Sequence, residues 1–335
     1  MRVNREEFLR ALESVSAGLS SKEAVEQSTC YVFKDGRITT FNDEVFCSAE
    51  TPIKKVGVAV PAKPLVDLLR KLVEDEVEVK VEGSEFLVRG KRRRAGIRME
   101  SEITLPIDSV EKPEDWQELN PEFCEALDVV SRCASSDESN FVMTCVHVCS
   151  EHIEASDNFQ VVRWPIEVGV ESPCLIRAVS AKGLVGLGVS EMAETESWIH
   201  FRNPSGLVYG CRRWKEDYPK FDGVLDVDGS KAVLPSGLAE AVEKAGIFSE
   251  DGAIDTSIRV ELQKGKLRLR GEGASGWYEE RKTITYDGQS LSFLIAPKVL
   301  VELTKRSNEC VIAPGRLKMN AGKFVYVACL GQVDK

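Results

Sequence analysis

The sequence predicts an α+β protein made of three tandem, similar domains, and three features of the chain lead there. Its 335 residues exceed what one ordinary core serves and suit two or three domains of roughly 100–150 residues. A helical phrase recurs, as EEFLRALESVS from Glu6, PEFCEALDVVS from Pro121 and PSGLAEAVEKA from Pro235, with Phe8, Phe123 and Leu238 spaced by 115 residues at both steps. After each phrase come segments that alternate apolar and polar residues around a turn, the period of a half-buried strand. A repeat of this length is a whole domain, so the domains are expected at residues 1–114, 115–229 and 230–335.

Within each repeat the elements follow one order. The first helix is followed by a hairpin signal: YVFKDGRITTF, VHVCSEHIEAS and RVELQKGKLRLRG, turning at pairs such as Asp35-Gly36 and Lys264-Gly265. Ile38, Ile153 and Leu267 stand at matching places, 115 and then 114 residues apart. A second helix follows, VPAKPLVDLLRKL from Val60, VSAKGLVGLG from Val179 and IAPKVLVELTK from Ile295, each with a lysine at its start: Lys63, Lys182 and Lys298. Another hairpin closes each copy, VEVKVEGSEFLVRG, WIHFRNPSGLVYG and CVIAPGRLKMNAG. Polar joints, DSVEKPEDWQELNP from Asp108 and LDVDGSKAVLP from Leu225, separate the copies. Two helices covering the apolar face of antiparallel sheet make a sound single core.

Composition narrows the function. With 43% hydrophobic and 29% charged residues the chain is that of a soluble globular protein. No apolar run reaches the roughly 18 residues that span a bilayer, and the opening Met1-Arg2-Val3-Asn4-Arg5 leads into a charged helix, so a cytoplasmic protein without a membrane partner is expected. Ten scattered cysteines in such a chain read as reduced thiols. A net charge of −10 excludes a protein that coats nucleic acid over its whole surface, while leaving room for a local basic zone.

Chemistry is sparse. Cys145, His147 and Cys149 alternate along one strand with His152 nearby, but the spacing matches no paired zinc knuckle, and cysteines alternating in a strand are ordinarily small core residues. His147, His152 and His200 have no catalytic motif around them, and no nucleophile elbow, phosphate loop or dinucleotide fingerprint occurs. Asp43, Asp157 and Glu272 fall at roughly equivalent hairpin ends and read as turn residues. No enzymatic activity, cofactor or metal is expected.

The three repeats in this order, together with VNREEFLRALESVSAGLS from Val3, WKEDYPKFDGVL from Trp214 and KAGIFSED from Lys244, resemble the bacterial sliding clamp family, the beta subunit of DNA polymerase III, in a divergent or phage-like form. The resemblance covers nearly the full chain and implies the DNA clamp fold, half of a six-domain ring closed by a head-to-tail homodimer. It implies a non-enzymatic processivity factor that encircles double-stranded DNA without regard to sequence. The polymerase, the clamp loader and other proteins with a clamp-binding motif would dock in a groove between domains two and three. The alternative is a specialised clamp-fold interaction protein, monomeric or with altered partner specificity.

A hole around DNA should be lined by cations. The second helices, at 60–72, 179–188 and 295–306, carry Lys63, Arg70, Lys71, Lys182, Lys298, Lys305 and Arg306 against Asp67 and Glu302 only, reversing the sign of the chain as a whole. The DNA-lining set expected from this is Lys63, Arg70, Lys71, Lys182, Lys298 and Lys305, with Arg10, Lys22 and Arg132 from the first helices and their flanks. The run RGKRRRAG from Arg89 sits in a hairpin and reads as a solvated sheet edge protected by charge.

For the groove, SDNFQV from Ser156 stands where the family usually has Thr-Asp-Gly-His-Arg-Leu, which brings in Ser156, Asn158, Phe159, Gln160 and Val161. Val142, Pro219, Val224, Ala296 and Val299 complete its walls. The last strand contributes Val325, Tyr326, Val327, Ala328 and Cys329, where Val327-Ala328-Cys329 replaces a Met-Pro-Met pattern. For the ring contact the resemblance points to Ile247 and Phe248 against Ala95 and Ile97, with Ala95 at a position usually aromatic.

Overall fold

A computed structural model describes residues 1–54, 56–249 and 257–333. The seven α-helices among them are α1 (Arg5–Ser14), α2 (Ala62–Lys71), α3 (Phe123–Val130), α4 (Ala178–Lys182), α5 (Asp222–Leu225), α6 (Leu238–Gly246) and α7 (Pro297–Arg306). Several helix ends have a local reason. The Asn4 side chain accepts from the backbone N–H of Glu6 and Glu7, both at 3.0 Å, and so caps α1. Pro297 opens α7, where its missing N–H costs nothing. Arg70 and Lys71 close α2, and Lys305 and Arg306 close α7, where the helix dipole favours cations. The second-repeat helix is shorter than 179–188: it stops at Lys182, and Gly186 (φ 86°) and Gly188 (φ 63°) carry the chain away in conformations that other residues avoid. Lys182 is therefore at a helix end, unlike Lys63 and Lys298.

The chain forms two compact units. The first comprises residues 1–131, 145–151 and 166–216. It contains an antiparallel four-stranded sheet in the order Arg2–Asn4, Glu76–Glu82, Glu85–Arg89, Arg94–Arg98. It also contains an eight-stranded sheet in the order Val58–Pro61, Cys30–Lys34, Arg37–Phe41, Val45–Glu50, Val208–Arg212, Trp198–Arg202, Glu191–Glu194, Gln117–Glu118. The first and second repeats meet in that sheet, with Val45 opposite Cys211 and Ser48 opposite Val208. The expected tight turn is present: Asp35 and Gly36 both have positive φ, 52° and 76°, as a two-residue hairpin needs. Strand Arg94–Arg98 is the sheet edge on which the RGKRRRAG run lies, with Arg93 and Arg94 against Glu74 and Glu82 at 3.5 and 3.6 Å.

The second unit comprises residues 132–144, 152–165 and the chain from Asp217. Seven of its strands run in the order His152–Ser156, Gln160–Pro165, Val325–Cys329, Arg316–Asn320, Glu309–Ala313, Ser230–Val233, Thr285–Tyr286. Its other sheet orders Gly276–Thr283, Lys266–Gly273, Ile258–Gln263 and Leu291–Ile295.

The repeat registers reappear as core positions. Phe8, Phe123 and Leu238 are at most 1% exposed, and Ile38, Ile153 and Leu267 at most 2%. Helices pair in the same sense in each copy, α1 on α2, α3 on α4 and α6 on α7. In the first two copies the first-helix phenylalanine meets an aromatic from the sheet: Phe8 lies 6.2 Å from Phe33, and Phe123 stacks on Phe201 at 5.6 Å. All ten cysteines are free thiols and seven are buried. Among the described residues no helix is long and apolar enough to cross a membrane.

Candidate functional site

The nine expected DNA-facing cations, Arg10, Lys22, Lys63, Arg70, Lys71, Arg132, Lys182, Lys298 and Lys305, are all solvent-exposed. Lys63, Arg70 and Lys71 share α2, and Lys298 and Lys305 share α7. Several are held by carboxylates. Lys63 Nζ lies 2.7 Å from Asp67, Arg70 donates to Glu13 from Nε and a terminal nitrogen at 3.1 and 2.7 Å, and Lys305 meets Glu302 at 3.0 Å. The Lys63 hydrogen bond holds the Asp67 carboxyl below its usual range, and the Glu13 hydrogen bond raises the Arg70 guanidinium.

The expected groove residues all belong to the second unit. The turn at its centre is built by Asp157, whose Oδ1 accepts from the N–H of Phe159 and Gln160 at 2.9 and 3.0 Å, while Ser156 Oγ accepts from Asn158 N–H at 3.2 Å. Asn158 has φ 76°, the left-handed conformation that asparagine tolerates better than most residues, so it can stand in for the glycine of the family pattern. This geometry leaves Phe159 at the tip, 50% exposed. The adjoining strand pairs Val161 with Val327 and Gln160 with Ala328, and Cys329 N–H donates to Phe159 O at 2.7 Å. Tyr326 donates its hydroxyl to Gln160 Oε1, while Gln160 Nε2 donates to Asp157 at 2.7 Å, so the residue in the arginine place is locked into the wall. Burial drives the Tyr326 hydroxyl pKa up and that of the Cys133 thiol to about 12.

Not every expected residue reaches the surface. Phe159, Asn158, Cys329 and Pro219 are exposed, and Val142, Gln160, Val224, Ala296 and Val325 are half-buried. Ser156, Val161, Tyr326, Val327 and Ala328 are buried within paired strands, and Val299 is buried on α7, so these six can only back a groove. Sequence reasoning missed how the wall is anchored. Arg163 bonds both Glu154 at 2.8 Å and Asp222 at 2.6 Å, and Arg316 donates to Gly223 O at 3.0 Å, which ties α5 with Val224 to two strands. The signal was legible: Glu154 and Arg163 are charges placed inside apolar strand patterns, an arrangement that requires pairing.

At the expected ring contact, Ile247 is 73% exposed and Phe248 half-buried at the end of α6. The last residues of KAGIFSED, Glu250 and Asp251, lie outside the described residues. On the other side, Ala95 is half-buried, but Ile97 sits opposite Phe86 with its side chain in the core. Ile97 therefore cannot offer the apolar surface expected of it, since alternation along the strand points it inward. Trp277, 59% exposed on strand Gly276–Thr283, was not anticipated; a Cβ on neighbouring Gly276 would touch the Phe248 ring at 3.7 Å, so these residues adjoin. In the Cys/His strand, Cys145 is buried, and a half-buried pair places Cys149 Sγ 3.4 Å from a His147 ring nitrogen.

No protein-family model and no curated protein matches the sequence. Solved structures do. A sliding clamp (DNA polymerase III subunit beta) from Bartonella birtlesii superposes with a TM-score of 0.88 at 17% identity, each chain covered to 99%. The DNA polymerase III beta subunit from Thermotoga maritima gives 0.86 at 16% identity, again with 99% of each chain covered. The fold is that of a bacterial sliding clamp. A third clamp-fold structure, a putative DNA polymerase III beta subunit from Eubacterium rectale, gives 0.84 at 15% identity over 99% of both chains. At such identities the likeness lies in the arrangement of the chain and not in its side chains.

Proposed function

We propose that this protein is a sliding clamp, a non-enzymatic processivity factor that closes around duplex DNA as a head-to-tail homodimer. The observation that carries the reading is agreement with clamp structures over 99% of the chain. The exposed cations of α2 and α7, on a chain of net charge −10, support it from the chemistry. Three domains per chain, at residues 1–114, 115–229 and 230–335, would give a six-domain ring. A closed ring needs no tight grip, since topology retains it and weak phosphate contacts let it slide.

The groove of the second unit would take a peptide from the polymerase, the clamp loader or another partner. Phe159, Asn158, Pro219 and Cys329 would meet it, with Gln160, Val142, Val224, Ala296 and Val325 at its sides. Recognition of this kind rests on a few apolar anchors. Phe159 in the histidine place and Gln160 in the arginine place remove a charge and put a phenyl ring where an imidazole stands, so the preferred peptide is expected to be more apolar than the family's usual one.

The test is topological. Protein placed on nicked circular duplex with a clamp loader is expected to stay bound through gel filtration and to come off when the circle is linearised. Equal loss from circular and linear DNA ends the reading.

A further inference from the structure

The cations on α2 are not simply open to solvent. Between α1 and α2, within the first unit, a cleft of about 390 Å³ has Lys63 and Arg70 in its lining, together with the hydroxyl-bearing Ser20, Ser21 and Thr29. Two carboxylates share it: Asp67, set between the cations on the same helix, and Glu13, reaching across from α1. Each cation already has an acid within hydrogen-bonding distance, 2.7 Å in both cases. The motif recurs on α7 of the second unit, where Lys305 is held by Glu302 at 3.0 Å.

These pairs are solvated, the Lys63 side chain 87% and the Arg70 side chain 57% exposed. Exposed pairs of this kind contribute little to folding and are weak enough to be exchanged. A backbone phosphodiester offers the same charge as a carboxylate and the same pair of anionic acceptor oxygens, so it can take either cation from its partner. The carboxylate it displaces then stands beside the phosphate and repels it.

We propose that Glu13 and Asp67 act as resident competitors for the DNA phosphate. They occupy Arg70 and Lys63 when no backbone is near, yield them to a passing phosphate, and keep each contact weak enough to break as the duplex moves. This rests on the sliding-clamp reading, and it assigns an affinity-setting role to two acids that a search for basic residues passes over. The cleft, with its hydroxyl rim, is where the exchanged phosphate would sit.

The proposal is tested on the full-length protein with Glu13→Gln, Asp67→Asn and the double variant, binding a labelled linear duplex followed by fluorescence anisotropy across a potassium chloride series. Removing one like charge about 4 Å from a phosphate in water should tighten binding about fivefold. The plot of log affinity against log salt should also steepen, by up to about one per cation freed. A control, Glu309→Gln, lowers the net negative charge equally at an exposed strand position of the second unit and should change neither quantity. Unchanged affinity and slope in the double variant, or equal gains in the control, overturn the proposal. Failure of the clamp reading would look different: the wild-type protein would leave circular and linear DNA alike, whatever the acid variants do.

Discussion

His200 shows what a single buried side chain imposes. It is 1% exposed on strand Trp198–Arg202, and among the described residues its Nδ1 has no hydrogen-bond partner. Burial pulls its pKa from 6.5 to about 4, against the opposing pull of Glu111. The unfolded chain therefore binds a proton that the folded chain refuses, so stability is full above about pH 6.5 and falls as the pH drops toward about 4. The loss should approach about 3 kcal/mol at the acid end. Urea titrations of the wild type and of His200→Leu across that range should show the variant losing less, by the histidine's share. Gly271 is a second residue-scale case. A Cβ there would lie 1.9 Å from the Ala245 carbonyl oxygen at the end of α6, a backbone group that cannot step aside. Gly271→Ala is expected to destabilise by about 3 kcal/mol, read as a fall in thermal midpoint. Neither effect is legible in the sequence, because both depend on what the fold brings up from elsewhere in the chain. The core positions were legible, since the 115-residue register of Phe8, Phe123 and Leu238 needs only a period to be seen.

Elements were legible where periodicity and caps agreed and less so where they did not. The helices α1, α2, α6 and α7 fall where the apolar spacing puts them, whereas α4 ends at Lys182 because three glycines follow within six residues and its matching phrase hid that signal. Place in the sheet likewise decides which of the expected groove residues are available: Val161 and Val327 are buried inside paired strands, while Phe159 in the turn and Cys329 at the last residue of its strand are exposed. Charges inside those strands have structural work. Glu154 is 2% exposed, and Arg163 joins it to Asp222 at the start of α5. Arg163→Met would leave a buried carboxylate without its guanidinium and free one end of α5. Near neutral pH this should cost about 3 kcal/mol, in keeping with breaking a buried pair from one side. Urea titrations of the two proteins measure it. Because α5 carries Val224, peptide binding to the groove should weaken in the same variant.

At the scale of the whole molecule, what the sequence carried was order: three copies of one module, each with two helices and its hairpins, and that order needs no conserved side chain to be read. Such an order is set by the pattern of apolar and polar positions, so clamp structures can match across 99% of the chain at only 15–17% identity. Ile247 at 73% exposure and Trp277 at 59% flank Phe248 and Gly276, among the described residues strand Gly276–Thr283 is an edge of its sheet, and strand edges with apolar neighbours favour association. In the proposed ring, with Ile97 in the core and Ala95 small, the second unit's side would supply most of the apolar anchor. Ile247→Asp should then turn dimer into monomer in light scattering at micromolar concentration. Folding stability should stay within about 0.5 kcal/mol, as for an ordinary surface substitution. Retention on circular DNA should disappear with the dimer. A wild-type protein already monomeric at that concentration would favour the other architecture the sequence allows, a clamp-fold interaction protein that works through its groove without encircling DNA, and the Ile247 variant would then leave peptide binding untouched.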